Sequence, residues 1–315
     1  MASWGVRLQE SYAPPRDGLR LSTDDPLVLA LADRLWARGP AGGDAVAVTV
    51  AVESESDAAP DEADVVWELE EGLYRVRLGD ALSARVDLER HRVDASVSRG
   101  LLERAPAVAA RYLLEGPTAV LFERRAFRVL HAGAIVGERG AVVLRGASGA
   151  GKSTLVALAH REGYDVLGDE SLLVSREDPD DLASSVRDLT VLPDAARLLN
   201  IAGEPCFSGG EDKVRVPLFG KSAPEMRRAR RVATLLLGRR EPGPARLREL
   251  LPWEFREVFR EGEIPQEWTA GDPVAIAAAW SGERSFLLEG AVDLQGVLEL
   301  VKRLAGDPST RIPSA

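Results

Sequence analysis

Hydrophobic and polar residues alternate along much of the stretch from residue 45 to residue 97. The alternation is clearest at 74–78 and 84–88, where every second residue is apolar. Such a pattern is typical of strands that bury one face and expose the other. The sequence therefore predicts a small antiparallel sheet. Its strands span residues 45–52, 65–70, 74–78, 82–88 and 93–97.

Helices are predicted on both sides of this sheet. Residues 1–40 have a polar start followed by one helix, which begins near Asp25-Pro26 because an acidic residue followed by proline is typical of a first turn. The pattern from 101 to 130 is also helical. Within it, Gly116-Pro117 predicts a break between two helices.

From residue 129 onward the pattern changes to short apolar runs separated by polar or glycine-containing turns. Runs that predict strands lie at 129–136, 141–144, 171–175, 214–218, 232–237 and 285–288. Helices are predicted from residue 153, over 247–260 and over 294–304. The basic run 227–231 precedes one predicted strand, and its arginines are expected to be solvated.

The composition is that of an ordinary globular protein, with 45% hydrophobic and 29% charged residues among 315. A formal net charge of −10 argues against nucleic acid as the main partner, because a phosphate backbone requires a basic face. Cys206 is the only cysteine and the three histidines are scattered, so neither a disulfide framework nor a metal cluster is expected. Apolar stretches stay shorter than about 18 residues and a signal-peptide pattern is lacking, which predicts a cytoplasmic protein without a membrane partner.

The segment after the run at 141–144 carries the most specific chemical pattern in the chain. It matches Gly-x4-Gly-Lys-[Ser/Thr] and consists of Gly146, Ala147, Ser148, Gly149, Ala150, Gly151, Lys152, Ser153 and Thr154. Glycines let backbone N–H groups turn toward an anion at a helix N-terminus. Lys152 is expected to contact the β- and γ-phosphates, and the Ser153 hydroxyl is expected to bind Mg²⁺. The pattern predicts binding of a nucleoside triphosphate, taken here as ATP with GTP left open; the alternative is a glycine-rich turn without a ligand.

Asp169 and Glu170 end a short apolar run that follows the helix predicted from residue 153. A phosphoryl-transfer site needs a carboxylate near Mg²⁺ and a group that orients the nucleophile. Adjacent residues of a strand face opposite ways, so the two carboxylates are expected to have different roles. The alternative is an exposed acidic pair at the end of a strand.

Lys213 and Arg215 are weaker candidates for nucleotide binding. They follow a glycine-containing turn and lie two residues apart on a strand-like pattern, so both side chains share one face. A cation placed there would meet the charge that develops on a transferred phosphate. Two solvated cations on an edge strand are the alternative.

Three segments together resemble the kinase domain of HPr kinase/phosphorylase and its relatives. They are Leu130-His131-Ala-Gly133, the glycine-rich segment 146–154, and Gly163-Tyr-Asp-Val-Leu-Gly-Asp-Glu170. The resemblance covers about residues 129–176. It implies a fold related to that of phosphoenolpyruvate carboxykinase. Family members phosphorylate serine in a carrier protein, and relatives act on free serine or on modified peptides.

Residue by residue, the resemblance implies that Asp169 is the general base that accepts the proton of an acceptor hydroxyl. Glu170 stands where the family usually has a second aspartate, and it is expected to contact the metal or the acceptor. His131 matches a strand histidine close to that pair, where it would support Asp169. A satisfied core histidine is the alternative for His131. Residues 1–125 do not resemble the family's regulatory domain, so the resemblance implies a divergent member.

The sequence thus predicts an α/β protein with a P-loop kinase domain of the HPr kinase/phosphoenolpyruvate carboxykinase type over 126–305. A smaller α+β module over 1–125 precedes it, and 306–315 form a tail. The expected activity is transfer of the γ-phosphate of ATP to a serine-type hydroxyl in a peptide, protein or small molecule. A P-loop ATPase that acts as a switch or motor, or a nucleotide-binding regulatory protein, are the alternatives. A homo-oligomer is expected by analogy with related kinases.

Overall fold

The computed structural model describes residues 8–12, 18–36, 38–43, 45–53, 65–70, 73–125, 127–169, 171–184, 186, 188–208, 211–218, 227–238, 243–261, 273–282, 284–290 and 293–306. The chain forms two compact units. The first comprises Met1–Arg125, Pro205–Lys213 and Phe219–Met226, and the second comprises Ala126–Glu204, Val214–Leu218 and Arg227–Ala315. Helices accompany mixed sheets, so the protein belongs to the α/β class. Among the described helices, none is long and apolar enough to cross a membrane.

The described part of the first unit is built on one seven-stranded sheet in the order β1-β2-β3-β7-β6-β5-β4. Its strands are β1 (Leu8–Tyr12), β2 (Leu19–Thr23), β3 (Val46–Glu53), β4 (Val65–Glu70), β5 (Leu73–Leu78), β6 (Leu82–Asp87) and β7 (Arg92–Ser98). Its helices are α1 (Pro26–Leu35), α2 (Arg99–Arg104), α3 (Pro106–Ala109) and α4 (Gly116–Arg125). Strands β2, β3 and β7 run parallel, whereas the other neighbouring pairs are antiparallel.

The strands predicted between residues 45 and 97 are confirmed as β3 to β7, and their alternation buries one face. Val46, Val48 and Val50 are buried, whereas Ala47 between them is exposed. The prediction of a small, wholly antiparallel sheet is wrong. It missed β1 and β2, which are five-residue strands whose stability depends on partners distant in sequence. Helix α1 supplies the crossover that a parallel β2–β3 pair requires.

The predicted helix break at Gly116-Pro117 is also wrong. A π-helical turn at Ala110–Glu115 leads directly into α4, which begins at Gly116. The Thr118 hydroxyl donates to the carbonyl oxygen of Leu114 at 2.7 Å and so adds a hydrogen bond at a point where Pro117 has no N–H to give. The break lies at Ala105 instead, because the following proline disfavours a helical conformation of the residue before it.

The remainder of the described chain contains twelve strands and five helices. The strands are β8 (Phe127–Leu130), β9 (Gly133–Gly137), β10 (Gly140–Gly146), β11 (Asp165–Gly168), β12 (Leu172–Ser175), β13 (Asp181–Ser184), β14 (Asp188–Val191), β15 (Glu204–Ser208), β16 (Glu211–Pro217), β17 (Arg227–Leu237), β18 (Arg246–Glu249) and β19 (Ser285–Glu289). The helices are α5 (Lys152–Arg161), α6 (Pro193–Leu199), α7 (Pro252–Glu261), α8 (Pro273–Trp280) and α9 (Leu294–Gly306). Residues 307–315 of the predicted tail lie outside the described residues.

A nine-stranded mixed sheet forms the centre of the second unit. Its order is β11-β9-β10-β17-β13-β12-β8, with β19 beside β17 and β18 beside β19. Strand β10 runs parallel to β17 and antiparallel to β9, and β11 is antiparallel to β9. Strands β10 and β11 therefore run in the same direction with one strand between them. Their carboxyl ends lie at the same edge of the sheet.

Helices lie on both faces of β9. Ala134 of β9 packs in a core cluster with Phe255 and Phe259 of α7 and with Trp280 of α8. The alternate residues of β9 face the opposite side, where Gly133 lies against α5 and Gly137 against Ala305 of α9. Strand β9 therefore has helices on both of its faces.

Two further differences from the sequence prediction concern this unit. The apolar run 129–136 is not one strand but two, because β8 pairs with β12 whereas β9 pairs with β10 and β11. The predicted helix 247–260 begins later, at Pro252, after the short strand β18.

The arginines of the run 227–231 are not all solvated, contrary to the sequence prediction. The Arg231 side chain is 3% exposed, and its Nε lies 2.7 Å from a carboxylate oxygen of Asp180. Arg227 donates hydrogen bonds to the carbonyl oxygens of Val166 and Val186. Burial in both cases depends on partners that lie far away in the sequence.

Candidate functional site

The glycine-rich segment forms an exposed loop between β10 and α5. Strand β10 ends at Gly146 and α5 begins at Lys152. Gly149 and Gly151 adopt left-handed φ values of 76° and 99°, which L side chains rarely tolerate. A turn hydrogen bond of 3.1 Å joins the Ala150 N–H to the Ala147 carbonyl. The loop therefore has a defined curl and a solvent-exposed crest at residues 147–149.

Lys152 closes this loop from within. Lys152 is 6% exposed, and its Nζ donates to the carbonyl oxygens of Gly146 at 2.7 Å and Ala147 at 3.2 Å. Ser153 and Thr154 follow in the first turn of α5 and are half-buried. A cation and the N–H groups of a helix N-terminus thus converge at the loop, which is an arrangement that suits an anion.

Asp169 lies at the same edge of the sheet as the loop. It directly follows β11 and is 2% exposed. Neighbouring strands are about 4.8 Å apart, so the ends of β10 and β11, with β9 between them, are roughly 10 Å apart. Glu170, the second predicted carboxylate, lies outside the described residues.

Gly133, the first residue of β9, allows this strand to approach Asp169 closely. A β-carbon at this position would lie 2.7 Å from Cγ2 of Val156, 3.1 Å from the Gly168 carbonyl oxygen and 3.3 Å from Cα of Asp169. Only glycine fits this contact without displacement of its neighbours. The start of β9, the end of β11 and α5 are thereby packed against one another beside the loop.

His131 lies in the short turn between β8 and β9 and is half-buried. It precedes Gly133 by two residues, so the two Cα atoms are at most about 7 Å apart. The sequence prediction placed His131 within a continuous strand, whereas the structure places it where the strand breaks. The break brings the histidine to the edge that carries Asp169.

Arg145 is a site-adjacent residue that the sequence reasoning missed. It immediately precedes Gly146, is 1% exposed, and donates from Nε to the carbonyl oxygen of Phe259 at 2.9 Å. Burial lowers the pKa of its guanidinium to about 10. The position of this arginine directly between the apolar run 141–144 and Gly146 was the signal that could have indicated its burial.

Lys213 and Arg215 lie on a strand of another sheet than β10 and β11. Both lie on β16, and their side chains are half-buried. Arg215 lies 3.7 Å from a carboxylate oxygen of Asp188, in a sheet distinct from the one that contains β10 and β11. Lys213 belongs to the first unit and Arg215 to the second. Within the second unit, Arg215 therefore has an ion-pair partner in Asp188.

The donor set near the loop fits a metal ion carried by a nucleotide. Within the described residues, histidine, cysteine, aspartate and glutamate form no group of three or more that could hold a metal on their own. Mg²⁺ is commonly bound by one or two protein oxygens together with substrate phosphates and water. The Ser153 hydroxyl and the Asp169 carboxylate are the oxygens suited to this role.

Comparison with protein-family models gives no match to this chain, and comparison with curated proteins gives none either.

Proposed function

We propose that the protein is an ATP-dependent kinase that transfers the γ-phosphate to a hydroxyl group of a serine-type acceptor. The observation that carries the proposal is the edge shared by the glycine loop, Lys152 and the buried Asp169. We also propose that the second unit is a P-loop kinase fold of the HPr kinase type. Support comes from the parallel strands β10 and β11, from helix α5 directly after the loop, and from the resemblance over residues 129–176.

In the proposed reaction the loop N–H groups and Lys152 hold the β- and γ-phosphates of ATP. Lys152 must exchange its two carbonyl contacts for phosphate oxygens, which its flexible side chain permits. Ser153 and Asp169 would hold Mg²⁺, with Glu170 assigned to the metal or acceptor by sequence alone. The ion would supply charge neutralisation between the β- and γ-phosphates.

Asp169 accepts the proton of the acceptor hydroxyl while the hydroxyl oxygen attacks the γ-phosphorus. The bond between that phosphorus and the β–γ bridging oxygen breaks, and ADP leaves with the electron pair. His131 supports Asp169 from the adjacent turn. Burial of Asp169 limits access of bulk water to the base, and this favours an acceptor hydroxyl over hydrolysis.

The test is a transfer assay with ATP labelled at the γ-phosphate, run alone and with free serine, serine peptides and cell extract. Label in a discrete acceptor should fall about 100-fold or more in Asp169→Asn, because a general base is lost without loss of volume. Lys152→Ala should abolish both transfer and stabilisation by MgATP. Lys302→Ala and Asp194→Asn are the controls. Lys302 pairs with Glu299 of its own helix and lies 4.9 Å from the Tyr164 ring centroid, and Asp194 pairs with Arg197 of its own helix.

Two outcomes would refute the kinase proposal, and a third would refute the role of Asp169. Release of label only as inorganic phosphate, whatever the acceptor, would indicate an ATPase. Tight nucleotide binding without turnover would indicate a regulatory nucleotide-binding protein. Transfer by Asp169→Asn at a rate near that of the unchanged protein would remove the assignment of the base.

A further inference from the structure

Arg145 connects three elements around the candidate site. It lies on β10 one residue before the glycine loop. Its Nε donates to the Phe259 carbonyl of α7 at 2.9 Å, and its Nη1 donates to the His131 carbonyl at 3.4 Å. The guanidinium carbon is 4.1 Å from the centroid of the Phe259 ring. One side chain therefore joins the end of β10, helix α7 and the turn between β8 and β9.

The geometry of these contacts suits arginine specifically. A guanidinium presents its donors in a rigid plane and stacks on aromatic rings, so it can address two carbonyls while it covers Phe259. Lysine would offer a single flexible ammonium, and methionine would offer no donor. Because both acceptors are backbone oxygens, the contacts hold the main chain at His131 and Phe259 rather than the rotamer of either side chain.

The turn that Arg145 contacts carries His131 and continues into Gly133, which packs against Asp169. A displacement of this turn would move the imidazole relative to the buried carboxylate. Loop residues 147–154 would be less affected, because their curl depends on the Ala147–Ala150 turn and on the contacts of Lys152. The His131 turn therefore depends on Arg145 more strongly than the loop does.

We propose that Arg145 is a positioning residue that holds the His131 turn in place beside Asp169. Its catalytic consequence rests on the proposed kinase function. The position of His131, by contrast, can be measured without any turnover, so failure of this inference and failure of the kinase proposal are distinguishable.

The first test compares the imidazole ring resonances of the full chain and its variants by NMR at one fixed pH. The sequence contains only His91, His131 and His160, so single His→Gln variants assign all three signals. In Arg145→Met the His131 ring resonance should shift, whereas those of His91 and His160 should stay in place. Arg145→Lys, which keeps a cation, should shift it less and remains informative if Arg145→Met does not fold.

The second test is a double-mutant cycle in the transfer assay. Arg145→Met should lower kcat by about 10- to 100-fold, as expected when a catalytic group is misplaced by about 1 Å, and should leave KM for ATP unchanged. In a His131→Ala background the same substitution should cause no further loss.

The inference is overturned if the losses multiply in the double variant, because Arg145 then acts independently of His131. It is also overturned if the three histidine signals all shift together, or if none shifts in either Arg145 variant. An absence of transfer activity in the unchanged protein would contradict the kinase proposal alone, since the NMR test would still report the position of His131.

Discussion

Replacement of Gly146 by alanine tests how closely β10 approaches β17 at the edge that carries the glycine loop. A β-carbon at residue 146 would lie 2.6 Å from the carbonyl oxygen of Leu237 and 3.1 Å from its Cβ. The two residues are direct partners in the parallel pair of strands. Because the obstructing atom is backbone, a rotamer change cannot relieve the contact. The end of β10 must move by roughly 0.7 Å to restore an ordinary carbon–oxygen distance of about 3.3 Å.

Overpacking of this kind costs about 1–3 kcal/mol of the free energy of unfolding. For a domain of about 150 to 250 residues, each kcal/mol lowers Tm by about 2–4 °C, so a decrease of roughly 2–12 °C is expected. Differential scanning calorimetry of the full chain measures this decrease. The same displacement moves the loop, so the Tm increase caused by MgATP should also shrink.

Gly306→Ala is the matched control. Gly306 is the last residue of α9, a Cβ there would meet no atom within 4 Å, and alanine favours the helix more than glycine does. We expect this variant to match or slightly exceed the Tm of the unchanged protein. If Gly146→Ala unfolds at the same temperature as Gly306→Ala, the close approach of β10 to Leu237 is refuted.

Two further predictions concern charged groups of the second unit. Asp180→Asn should lower the free energy of unfolding by about 2–3 kcal/mol, since it removes a carboxylate that pairs with the buried Arg231. Asp178→Asn removes a carboxylate that pairs with the exposed Arg230 and should cost less than about 1 kcal/mol. Urea unfolding of both variants measures the difference, and equal losses would contradict it. Burial, and then the charge of Arg227, lower the pKa of His160 below its usual 6.5. The unfolded chain therefore binds this proton at higher pH than the folded one, and stability should fall as the pH drops below about 6.5. His160→Gln should reduce that slope in unfolding curves measured from pH 7.5 to 5, and an unchanged slope would contradict the assignment.

The glycine loop and its flanks could be predicted from the sequence because their signals are local. The apolar run 141–144 lies within β10, the helix predicted from residue 153 lies within α5, and the run before Asp169 contains β11. Each is specified by residues a few positions apart. The carboxylate at the end of a strand after α5 was likewise a local pattern. Its burial and its distance from the loop were not, because both depend on the insertion of β9 between β10 and β11.

Features that depend on distant partners were missed. The run 129–136 is apolar throughout, and only the separate pairing partners of β8 and β9 reveal the break at His131. Arginines in sequence suggest solvated positions, yet Arg231 is buried because Asp180, more than 50 residues earlier in the chain, meets it. Arg145 is buried because Phe259 offers it a carbonyl and a ring. Binary patterning cannot identify such partners.

The position of β10 in the sheet also affects how the protein is made on the ribosome. The antiparallel neighbour β9 precedes β10 in the chain, but the parallel neighbour β17 begins about 80 residues after β10 ends. At a synthesis rate of about 5–20 residues per second, β10 therefore waits roughly 4–16 s for its second partner. During that interval one edge of an apolar strand is open to pairing with other chains. Translation speed and chaperone access between residues 146 and 237 should accordingly influence the yield of folded protein.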